Sequence, residues 1–410
     1  MPKRDLVVGV DIGTSKVAAI VGEVRREGSC DIIGFGACPS TGMRKGVVVD
    51  IDGISRSITE AVEKASRMAG VEVRSAFISI SGSHLASLNN RGVVAVARDD
   101  REIVPEDVER VLDAARVINI PSDREIVHVL PREFVVDGYD GVKDPVGMLG
   151  VRLEVEAHVV TGAITSIQNL LKGVYKAGLE VDDLVVSSLA SGEAVLLPAE
   201  RELGALVLDM GGGTTDLSIF ERGNPWYTAV VPVGGDHVTS DLAVGLRTPL
   251  PQAEQIKLQH GRARPSEETA DELVEVGNVG GTSSHQVSAH VVASIIEPRL
   301  QDIFGLVKRE MHKAGFSQQP AGGAVLCGGC ALLPGIAEMA SEELGLPVRV
   351  GKPSGVGGLV DLASSPACAT TVGLLLYALR GIPGLQRAEP RGGALTSLWD
   401  RVRRVFGDFF

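Results

Sequence analysis

The chain has 410 residues, of which 44% are hydrophobic, so it is long enough to bury two substantial cores. Its formal net charge of −12, with no domain-scale basic patch, argues against a nucleic-acid-binding surface. Its five cysteines are scattered and odd in number, which gives no disulfide framework and favours a cytoplasmic protein.

The N-terminus predicts a strand, a turn and a second strand. Residues 6–10 and 17–24 are apolar runs, and the turn between them reads Asp11-Ile-Gly-Thr-Ser-Lys16. The first run has about half the length of a signal-peptide core, and no uninterrupted apolar run of about 18 residues predicts a membrane-spanning helix. We therefore expect the first strand to belong to a folded lobe.

A helix with apolar residues at helical spacing follows in this first lobe. We expect Asp52 to cap its start and Gly70 to end it. The predicted strands around it lie at residues 30–35, 46–49 and 76–81.

Residues 84–162 predict an extra block within the first lobe. A helix opened by Pro105 lies in its first half. Its predicted strands lie at residues 92–97, 125–130 and 152–160. The block is therefore expected to be a small α+β unit inserted in the lobe.

The segment from Asp209 to Asp216 predicts a glycine-rich phosphate loop. It reads Asp-Met-Gly-Gly-Gly-Thr-Thr-Asp and lies between the apolar run 203–208 and the alternating residues 217–220. Three glycines without Cβ atoms let backbone N–H groups wrap an anion, and the threonines add hydroxyl donors. Asp209, at the strand end, is placed to hold a hydrated Mg²⁺. Taken alone, the segment is equally compatible with an ordinary glycine-rich hairpin.

The rest of the second lobe predicts mainly helices. After a strand at 230–235, helices are predicted at residues 236–246 and 251–260, and a third at 286–312 follows a polar surface turn at 262–272. The last predicted helix of the folded part, at 367–379, comes after the second lobe. We expect Pro298 to kink the third helix. Glu254 and Lys257 share one helix face, where they either clamp a ribose or form a solvated ion pair.

Two strand-turn-strand segments, each led by an aspartate, indicate two similar lobes facing one nucleotide. Three further motifs appear in order: Ser191-Gly-Glu193, Ala253-Glu254-Gln-Ile-Lys257 and Leu326-Cys-Gly-Gly-Cys330-Ala-Leu-Leu-Pro-Gly335. Together they resemble the actin-like ATPase superfamily. The resemblance implies a duplicated, ribonuclease H-like α/β fold with two lobes, and ATP and Mg²⁺ as cofactors.

The resemblance also implies roles for particular residues. It makes Asp11 and Asp209 metal-binding, and it places Glu193 near the γ-phosphate, where it would orient a water. The nucleotide contacts that it implies are Gly13, Thr14, Ser15, Lys16, Gly211, Gly212, Gly213, Thr214, Thr215, Gly235, Glu254, Lys257, Gly328, Gly329, Cys330 and Ala331. One glutamate near a nucleotide does not establish turnover, so ATP binding is a better inference than fast hydrolysis.

The position of the insert narrows the resemblance. The connection at residues 25–75 is too short for the usual flap subdomain, and the extra block comes later instead. This arrangement is similar to the FtsA family of bacterial division proteins, in which the block is called subdomain 1C. Segments 141–148, 150–154 and 279–281 and the motif Ile295-Ile-Glu-Pro-Arg299 also resemble that family, over residues 5–410. The sequence departs from it at Cys330, where a small residue is more usual.

This resemblance implies a division into domains. The first-lobe core would take residues 1–83, completed by 163–199 and 364–380, with the insert at 84–162. The second lobe would take residues 200–363, including a smaller subdomain at 236–310. A flexible linker at 381–394 and an amphipathic helix at 395–410 would follow.

Residues 395–410 have the pattern of a helix that lies in a membrane surface. Arg401, Arg403 and Arg404 point to one side. The apolar side contains Leu395, Leu398, Trp399, Val402, Val405, Phe406 and Phe409. The alternative is a helix packed back on the body, which a long Gly/Pro linker disfavours. In the FtsA family this tail is the membrane-targeting helix.

Two other motifs have competing interpretations. Cys327 and Cys330 form a Cys-x-x-Cys pair, but zinc would need two more ligands, so small residues that fit a turn are favoured. Arg299 matches a family position that contacts the tail of the tubulin-like division protein FtsZ, although it could simply pair with Asp302.

The expected function is therefore that of an ATP-binding, actin-like cell-division protein. It would polymerise with itself, attach the C-terminal tail of FtsZ to the inner-membrane lipid surface, and recruit later divisome proteins through subdomain 1C. Its expected location is peripheral, on the cytoplasmic face of the membrane at the division septum. The alternatives are a PilM-like pilus-assembly adaptor, which should not need the amphipathic tail, and a small-molecule kinase, which would need a catalytic aspartate and a sugar pocket.

Overall fold

The first lobe is built on a mixed sheet in a computed structural model that describes residues 5–25, 29–267, 272–278, 283–315 and 320–380. Its elements before the insert are β1 (Leu6–Ile12), β2 (Lys16–Val24), β3 (Cys30–Pro39), β4 (Met43–Arg44), β5 (Val47–Val48), α1 (Ile51–Ala69) and β6 (Ser75–Ile80).

The insert comes next and has its own small sheet. Its elements are β7 (Ala86–Ala95), α2 (Pro105–Arg116), β8 (Arg124–Val136), β9 (Tyr139–Val142) and β10 (Arg152–Ala163). The strand order is β7–β10–β8–β9, and the paired strands are antiparallel. α2 covers one face, where Val108 and Val111 pack with Leu153 and Val155 in a separate apolar core. Because this core is distinct, the insert is a folding unit of its own.

The chain then completes the first lobe and crosses into the second. The crossing elements are α3 (Ile164–Lys176), β11 (Glu180–Val186) and α4 (Ser187–Val195). The elements of the second lobe are α5 (Pro198–Leu203), β12 (Ala205–Met210), β13 (Thr215–Glu221), β14 (Asn224–Val231), α6 (Gly235–Leu246), α7 (Leu250–His260), β15 (Leu273–Gly277), β16 (Ser284–Ser288), α8 (Ala289–Lys313), β17 (Ala324–Cys327), α9 (Ile336–Leu344) and β18 (Val348–Val350).

Two last elements return to the first lobe: β19 (Gly357–Gly358) and α10 (Ala369–Arg380). The first-lobe sheet has the order β11–β6–β1–β2–β3–β19, and the second-lobe sheet the order β14–β13–β12–β17–β18. In each lobe an antiparallel three-strand meander is extended by a parallel strand on the side of its first strand. The lobes therefore repeat one arrangement.

Helices cover both faces of the first-lobe sheet. α1 packs so closely on β3 that a Cβ on Gly36 would lie 2.2 Å from the carbonyl oxygen of Ala61. On the other face, Gly9 of β1 meets Leu374 of α10 in the same way. Apolar residues of the sheet are consequently buried on both sides, as the continuous apolar runs predicted.

Several expected elements differ from the structure. The strand expected at 230–235 is mostly loop, because β14 ends at Val231 and α6 begins at Gly235. Asp50, not Asp52, caps α1, because Asp50 has the extended backbone of a cap and its carboxylate accepts from the N–H of Asp52 at 3.0 Å. The expected strand at 46–49 is only the two-residue β5, since left-handed turns at Lys45 and Gly46 fold it back on β4. The helix expected from residue 286 begins at Ala289, because residues 284–288 pair with β15.

Candidate functional site

A cavity of about 290 Å³ lies between the two lobes. The first lobe contributes the turn after β1 and, across from it, the second lobe contributes the turn after β12. Residues predicted for this site that line the cavity are Asp11, Gly13, Thr14, Ser15, Lys16, Asp209, Gly211, Gly212, Gly213, Thr214, Gly235, Glu254, Lys257, Gly328, Gly329 and Cys330.

The two turns have the same local geometry. In the first, the N–H of Gly13 donates to the carbonyl of Lys16 at 3.0 Å, and in the second the N–H of Gly211 donates to the carbonyl of Thr214 at 2.9 Å. Each turn thus joins two antiparallel strands, and its remaining backbone N–H groups are available to an anion.

The two turns also pack directly against each other. A Cβ on Gly212 would lie 1.8 Å from Oγ of Ser15, and a Cβ on Gly213 would lie 2.5 Å from Oγ1 of Thr14. Oγ of Ser15 donates to the carboxylate of Asp236 at 3.1 Å. Glycine is therefore required at these positions for close approach of the lobes, in addition to its role in wrapping an anion.

Four aspartates line the cavity, and three of them, Asp11, Asp209 and Asp216, have raised pKa values. Burial raises the pKa of Asp11 to about 6 and that of Asp216 to about 7, and it raises the pKa of Asp209 as well. Lys16 opposes this by lowering the pKa of Asp11 and Asp209, and its Nζ donates to the carbonyl of Ala367 at 2.8 Å. Buried carboxylates of raised pKa favour a bound cation, because a cation stabilises their charged forms.

Hydroxyl groups hold each of these carboxylates. Asp11 accepts from Ser79 at 2.8 Å, Asp209 from Ser191 at 2.5 Å and Thr370 at 2.7 Å, and Asp216 from Ser81 at 2.6 Å and Thr214 at 2.8 Å. Within the described residues, no three His, Cys, Asp or Glu side chains converge closely enough to hold a metal ion. A cation in this cavity would therefore keep most of its waters, as Mg²⁺ does.

The far side of the cavity combines a polar pair with exposed apolar side chains. Nζ of Lys257 lies 2.7 Å from the carboxylate of Glu254 and 2.9 Å from Oγ1 of Thr239. Leu258 and Leu332 are 73% and 57% exposed although they line the cavity. Exposed leucines beside polar groups suit a flat aromatic ring that carries a sugar.

Cys327 and Cys330 differ in their environments. Cys327 is buried in β17, opposite Asp209, and burial raises the pKa of its thiol. Sγ of Cys330 contacts the carbonyl oxygen of Gly211 at 3.4 Å, and burial raises its pKa to about 11. Both are free thiols, and the turn that follows β17 brings Cys330 against the turn that contains Gly211.

Comparison with known proteins identifies the family. The family model for "Cell division protein FtsA" matches residues 206–373, and the model for the SHS2 domain inserted in FtsA matches residues 82–161. The cell division protein FtsA of Pseudomonas aeruginosa is 45% identical over 375 residues, which cover 92% of this chain and 89% of that protein. The chain belongs to the FtsA family of cell-division proteins.

Solved structures show the fold. A chain of a PilM-PilN type IV pilus biogenesis complex has a TM-score of 0.66 at 18% identity, with 92% of this chain and 99% of that chain covered. MreB 5 of Spiroplasma citri bound to AMPPNP has a TM-score of 0.56 at 16% identity, with 92% and 96% covered. The expected actin-like fold with an inserted α+β unit is thus confirmed for this FtsA-family chain. PilM is a structural neighbour only.

Three residues expected at the FtsA-family nucleotide site lie outside the cavity. Glu193 forms an ion pair with Arg201 at 2.6 Å and is not among the residues that line the cavity, so its role near the γ-phosphate stays a prediction. Thr215 is buried in β13, where its hydroxyl donates to the carbonyl of Val233 at 2.9 Å. Ala331 is buried in the core of the second lobe.

Several cavity residues of this FtsA-family chain were not predicted from the sequence. Asp216 and Ser81 are the most informative, since their side chains meet across the lobes. Asp216 closes the same motif that Asp209 opens, and the two are directly paired in β12 and β13. The aspartates at the two ends of this motif could therefore have been used to predict Asp216 as a cavity residue. No local signal pointed to Ser81, which follows an ordinary buried strand.

Arg299 lies apart from the cavity, and the C-terminal tail lies outside the described residues. Arg299 is on α8 and donates to both carboxylate oxygens of Asp241, at 2.6 and 3.1 Å, and more weakly to Asp302 at 3.5 Å. The linker and the helix predicted at 381–410 are not among the described residues. None of the helices in the described part is both long and apolar enough to cross a membrane.

Proposed function

We propose that the cavity binds ATP with Mg²⁺. Two equivalent turns suited to anions lie beside two buried aspartates, Asp209 and Asp216, and the half-buried Asp11, and this is the observation that carries the proposal. The likeness of the fold to MreB 5, whose solved structure is described as bound to AMPPNP, supports it as an analogy.

We propose a role for each part of the cavity. The turns that contain Gly13 and Gly211 would cradle the phosphates, and Lys16 would add a positive charge beside them. Asp11 and Asp209 would hold the waters of Mg²⁺, which would neutralise phosphate charge. The pair of Glu254 and Lys257 would contact the ribose, and the adjacent leucines the base.

The proposal covers binding and not rapid hydrolysis. The ion pair of Glu193 with Arg201, outside the lining of the cavity, supports slow turnover. A protein of this kind would use ATP to control its conformation or assembly, with turnover slow or absent.

In the cell, we propose that the protein polymerises and attaches FtsZ filaments to the cytoplasmic face of the membrane at the septum. Membership of the FtsA family supports the division role, and the amphipathic pattern at residues 395–410 supports membrane attachment. The insert would receive later divisome proteins. That same tail pattern disfavours a pilus-assembly adaptor.

The nucleotide proposal is tested by titrating ATP into the protein with Mg²⁺ and, separately, with EDTA. Asp209→Ala should weaken ATP binding in Mg²⁺ at least tenfold and in EDTA much less, because it removes a partner of the hydrated metal rather than a phosphate contact. Asp209→Asn, which keeps the side-chain shape, should show the same selective loss.

Asp302→Ala is the matched control, since this aspartate is exposed on α8 outside the cavity. It should bind ATP as the parent does. Equal affinity of the parent and both Asp209 variants in Mg²⁺ would refute the metal assignment, and absence of ATP binding by the parent would refute the proposed function.

A further inference from the structure

The insert contacts the second lobe although it belongs to the first. The face of its sheet opposite α2 rests on β14, and we call this contact area the seat. Nε2 of His158 is 3.0 Å from Oγ1 of Thr228, and Oγ of Ser87 donates to the carbonyl of Thr228 at 2.7 Å. Both His158 and Thr228 are buried. The seat is therefore a packed polar interface.

The centre of the seat specifies its geometry. Nδ1 of His158 is 2.9 Å from Oδ1 of Asn89, which only accepts, so Nδ1 carries the proton and Nε2 accepts from Thr228. Beside it, the guanidinium of Arg132 lies 3.1 Å from the ring centre of Trp226. Such directional contacts favour this relative position of insert and lobe over others.

Two ion pairs lie at the rim of the seat. Arg222 of the second lobe is 3.1 Å from Glu133 of the insert, and Lys143 of the insert is 2.9 Å from Glu202 of the second lobe. Lys143 and Glu202 are both more than half exposed. These pairs can be reversed in sign without disturbing a core.

The insert is also fixed to the first lobe. The backbone N–H of Val186 donates to Nε2 of His128 at 3.2 Å, and the N–H of Ile164 donates to the carbonyl of Asp123 at 2.9 Å. The chain connects the unit to the lobe at both of its ends. The insert therefore spans the two lobes.

The insert is attached to each lobe close to a residue that lines the cavity. On the first-lobe side, the insert begins just after Ser81, whose hydroxyl donates to Asp216 in the cavity. On the second-lobe side, β14 pairs with β13, and Val230 lies directly opposite Asp216 in that register. Movement of one lobe relative to the other must then strain either the seat or the contact between Ser81 and Asp216.

We propose that the insert is a clasp that holds the two lobes closed on the ligand in the cleft and so limits how fast the ligand leaves. The inference rests on the proposed nucleotide binding at that site. A ligand held between two lobes leaves when the lobes separate, and every contact that exists only in the closed arrangement reduces the population of the open one. Weakening the seat should therefore speed release.

The test measures release of fluorescent N-methylanthraniloyl-ATP, chased with unlabelled ATP in Mg²⁺. Thr228→Val keeps the side-chain shape but leaves Nε2 of His158 without its donor, and release should become about three- to tenfold faster. Thr161→Val is the matched control, because Thr161 is a buried threonine of the insert whose hydroxyl bonds Arg124 and Ala86 and not the second lobe. It should release the nucleotide as the parent does.

A charge swap tests the same idea at the rim, where folding is not at risk. Lys143→Glu should speed release about two- to fivefold, and adding Glu202→Lys should restore the parental rate because the pair reforms with opposite signs. Restoration distinguishes a contact between lobes from a general loss of stability.

The outcomes separate the clasp from nucleotide binding itself. If the parent binds no nucleotide, the proposed function fails before the clasp is reached. If the parent binds but folded Thr228→Val and Lys143→Glu release at the parental rate, the clasp is refuted. Faster release that Glu202→Lys does not reverse would also refute it.

Discussion

Asp216 and Asp209 face each other across paired strands, and each carboxylate is held by two hydroxyl groups. The hydroxyls fix the carboxylates in position without neutralising them, so both can respond to a cation. Asp216 has a pKa of about 7, raised chiefly by burial, and Asp209 raises it further. A divalent ion near this pair would convert Asp216 to its charged form, because the ion favours that form electrostatically.

Arg299 is the residue that we expect to contact the C-terminal tail of FtsZ, and its ion pair with Asp241 makes that prediction more specific. Its side chain is only 30% exposed and its guanidinium is already paired with Asp241, so an acidic tail of FtsZ would have to share or replace that carboxylate. Arg299→Glu should weaken binding of an FtsZ C-terminal peptide at least tenfold, because it repels both the peptide and Asp241. Fluorescence anisotropy of a labelled peptide measures this.

Asp241→Asn is the informative companion variant. It releases the guanidinium from its ion pair while leaving the arginine in place, so peptide affinity should rise. Unchanged peptide affinity in folded Arg299→Glu would show that the tail docks elsewhere.

At this scale the sequence predicted the two turns. Gly13 and Gly212 were identifiable because the chain has two aspartate-led glycine turns, and the second copy favours a paired site over an ordinary hairpin. The sequence did not show that Glu193 pairs with Arg201, since a position on a helix does not say which side of the helix faces the cavity. Ser81 was missed because its partner, Asp216, is far away in the sequence.

At the scale of the elements, the junction between the insert and the lobes contains two buried histidines. His128 and His158 are both buried there, and burial lowers their pKa values to about 4 and about 3. Both rings are used as neutral hydrogen-bonding groups, to Val186 and Thr228 respectively. Protonation of either ring would put an uncompensated charge into the junction.

The sign of the pH dependence follows from these values. A histidine whose pKa is lowered by folding is protonated first in the unfolded chain, so its contribution to stability is complete above about pH 6.5 and is lost as the pH falls towards 3. Asp11 and Asp216 have raised pKa values and act in the opposite direction. Comparing a variant with the parent isolates the histidine.

We therefore predict that the parent loses about 2 kcal/mol more stability than His158→Gln when the pH is lowered from 7.5 to 5.0. Urea denaturation at both pH values measures the two free energies of unfolding. His290→Gln, at an exposed position on α8, should follow the parent. Parallel pH dependences of His158→Gln and the parent would contradict the assignment.

Elements were predictable where a single local pattern decided them. The apolar periodicity of α1 and the glycine after it fixed that helix to within one or two residues. The hairpin of β15 and β16 was not predicted, because its alternation is short and polar and its stability depends on packing against α7 and α8. The seat of the insert on β14 is a contact between distant segments, and no periodicity encodes it.

At the scale of the molecule, the described chain joins two lobes around a cavity and spans them with the insert. Residues 381–410 follow the last first-lobe helix and lie outside the described residues, so their proposed role rests on their sequence and on the family. The tail charges from Asp400 to Asp408 sum to three arginines minus two aspartates. Anionic lipid therefore adds little beyond about one net positive charge, and apolar burial must provide most of the attachment.

Membrane attachment should accordingly be weak for one molecule and strong for a polymer. One short helix buries about seven apolar side chains, and part of that free energy offsets the ordering of the tail. Molecules linked along a filament make each later insertion intramolecular, which raises avidity by roughly 10² or more. Assembly that depends on the cavity ligand would then control how long the protein stays on the membrane.

Trp399→Glu tests this chain of reasoning, because it puts a charge in the centre of the apolar side of the tail. In liposome sedimentation, the variant should stay in the supernatant under conditions in which the parent pellets. Titration with ATP should give the same affinity for the variant as for the parent. Tyr139→Glu is the control, because Tyr139 is an exposed aromatic residue of the insert and this change should leave liposome binding intact. Trp226→Glu is unsuitable as a control, because Trp226 lies in the seat.

The avidity argument has its own test. Dilution of the parent to a strictly monomeric state should weaken its binding to liposomes about a hundredfold. Equally tight binding by the monomer would refute the avidity argument, and sedimentation of Trp399→Glu with liposomes would refute the role of the tail.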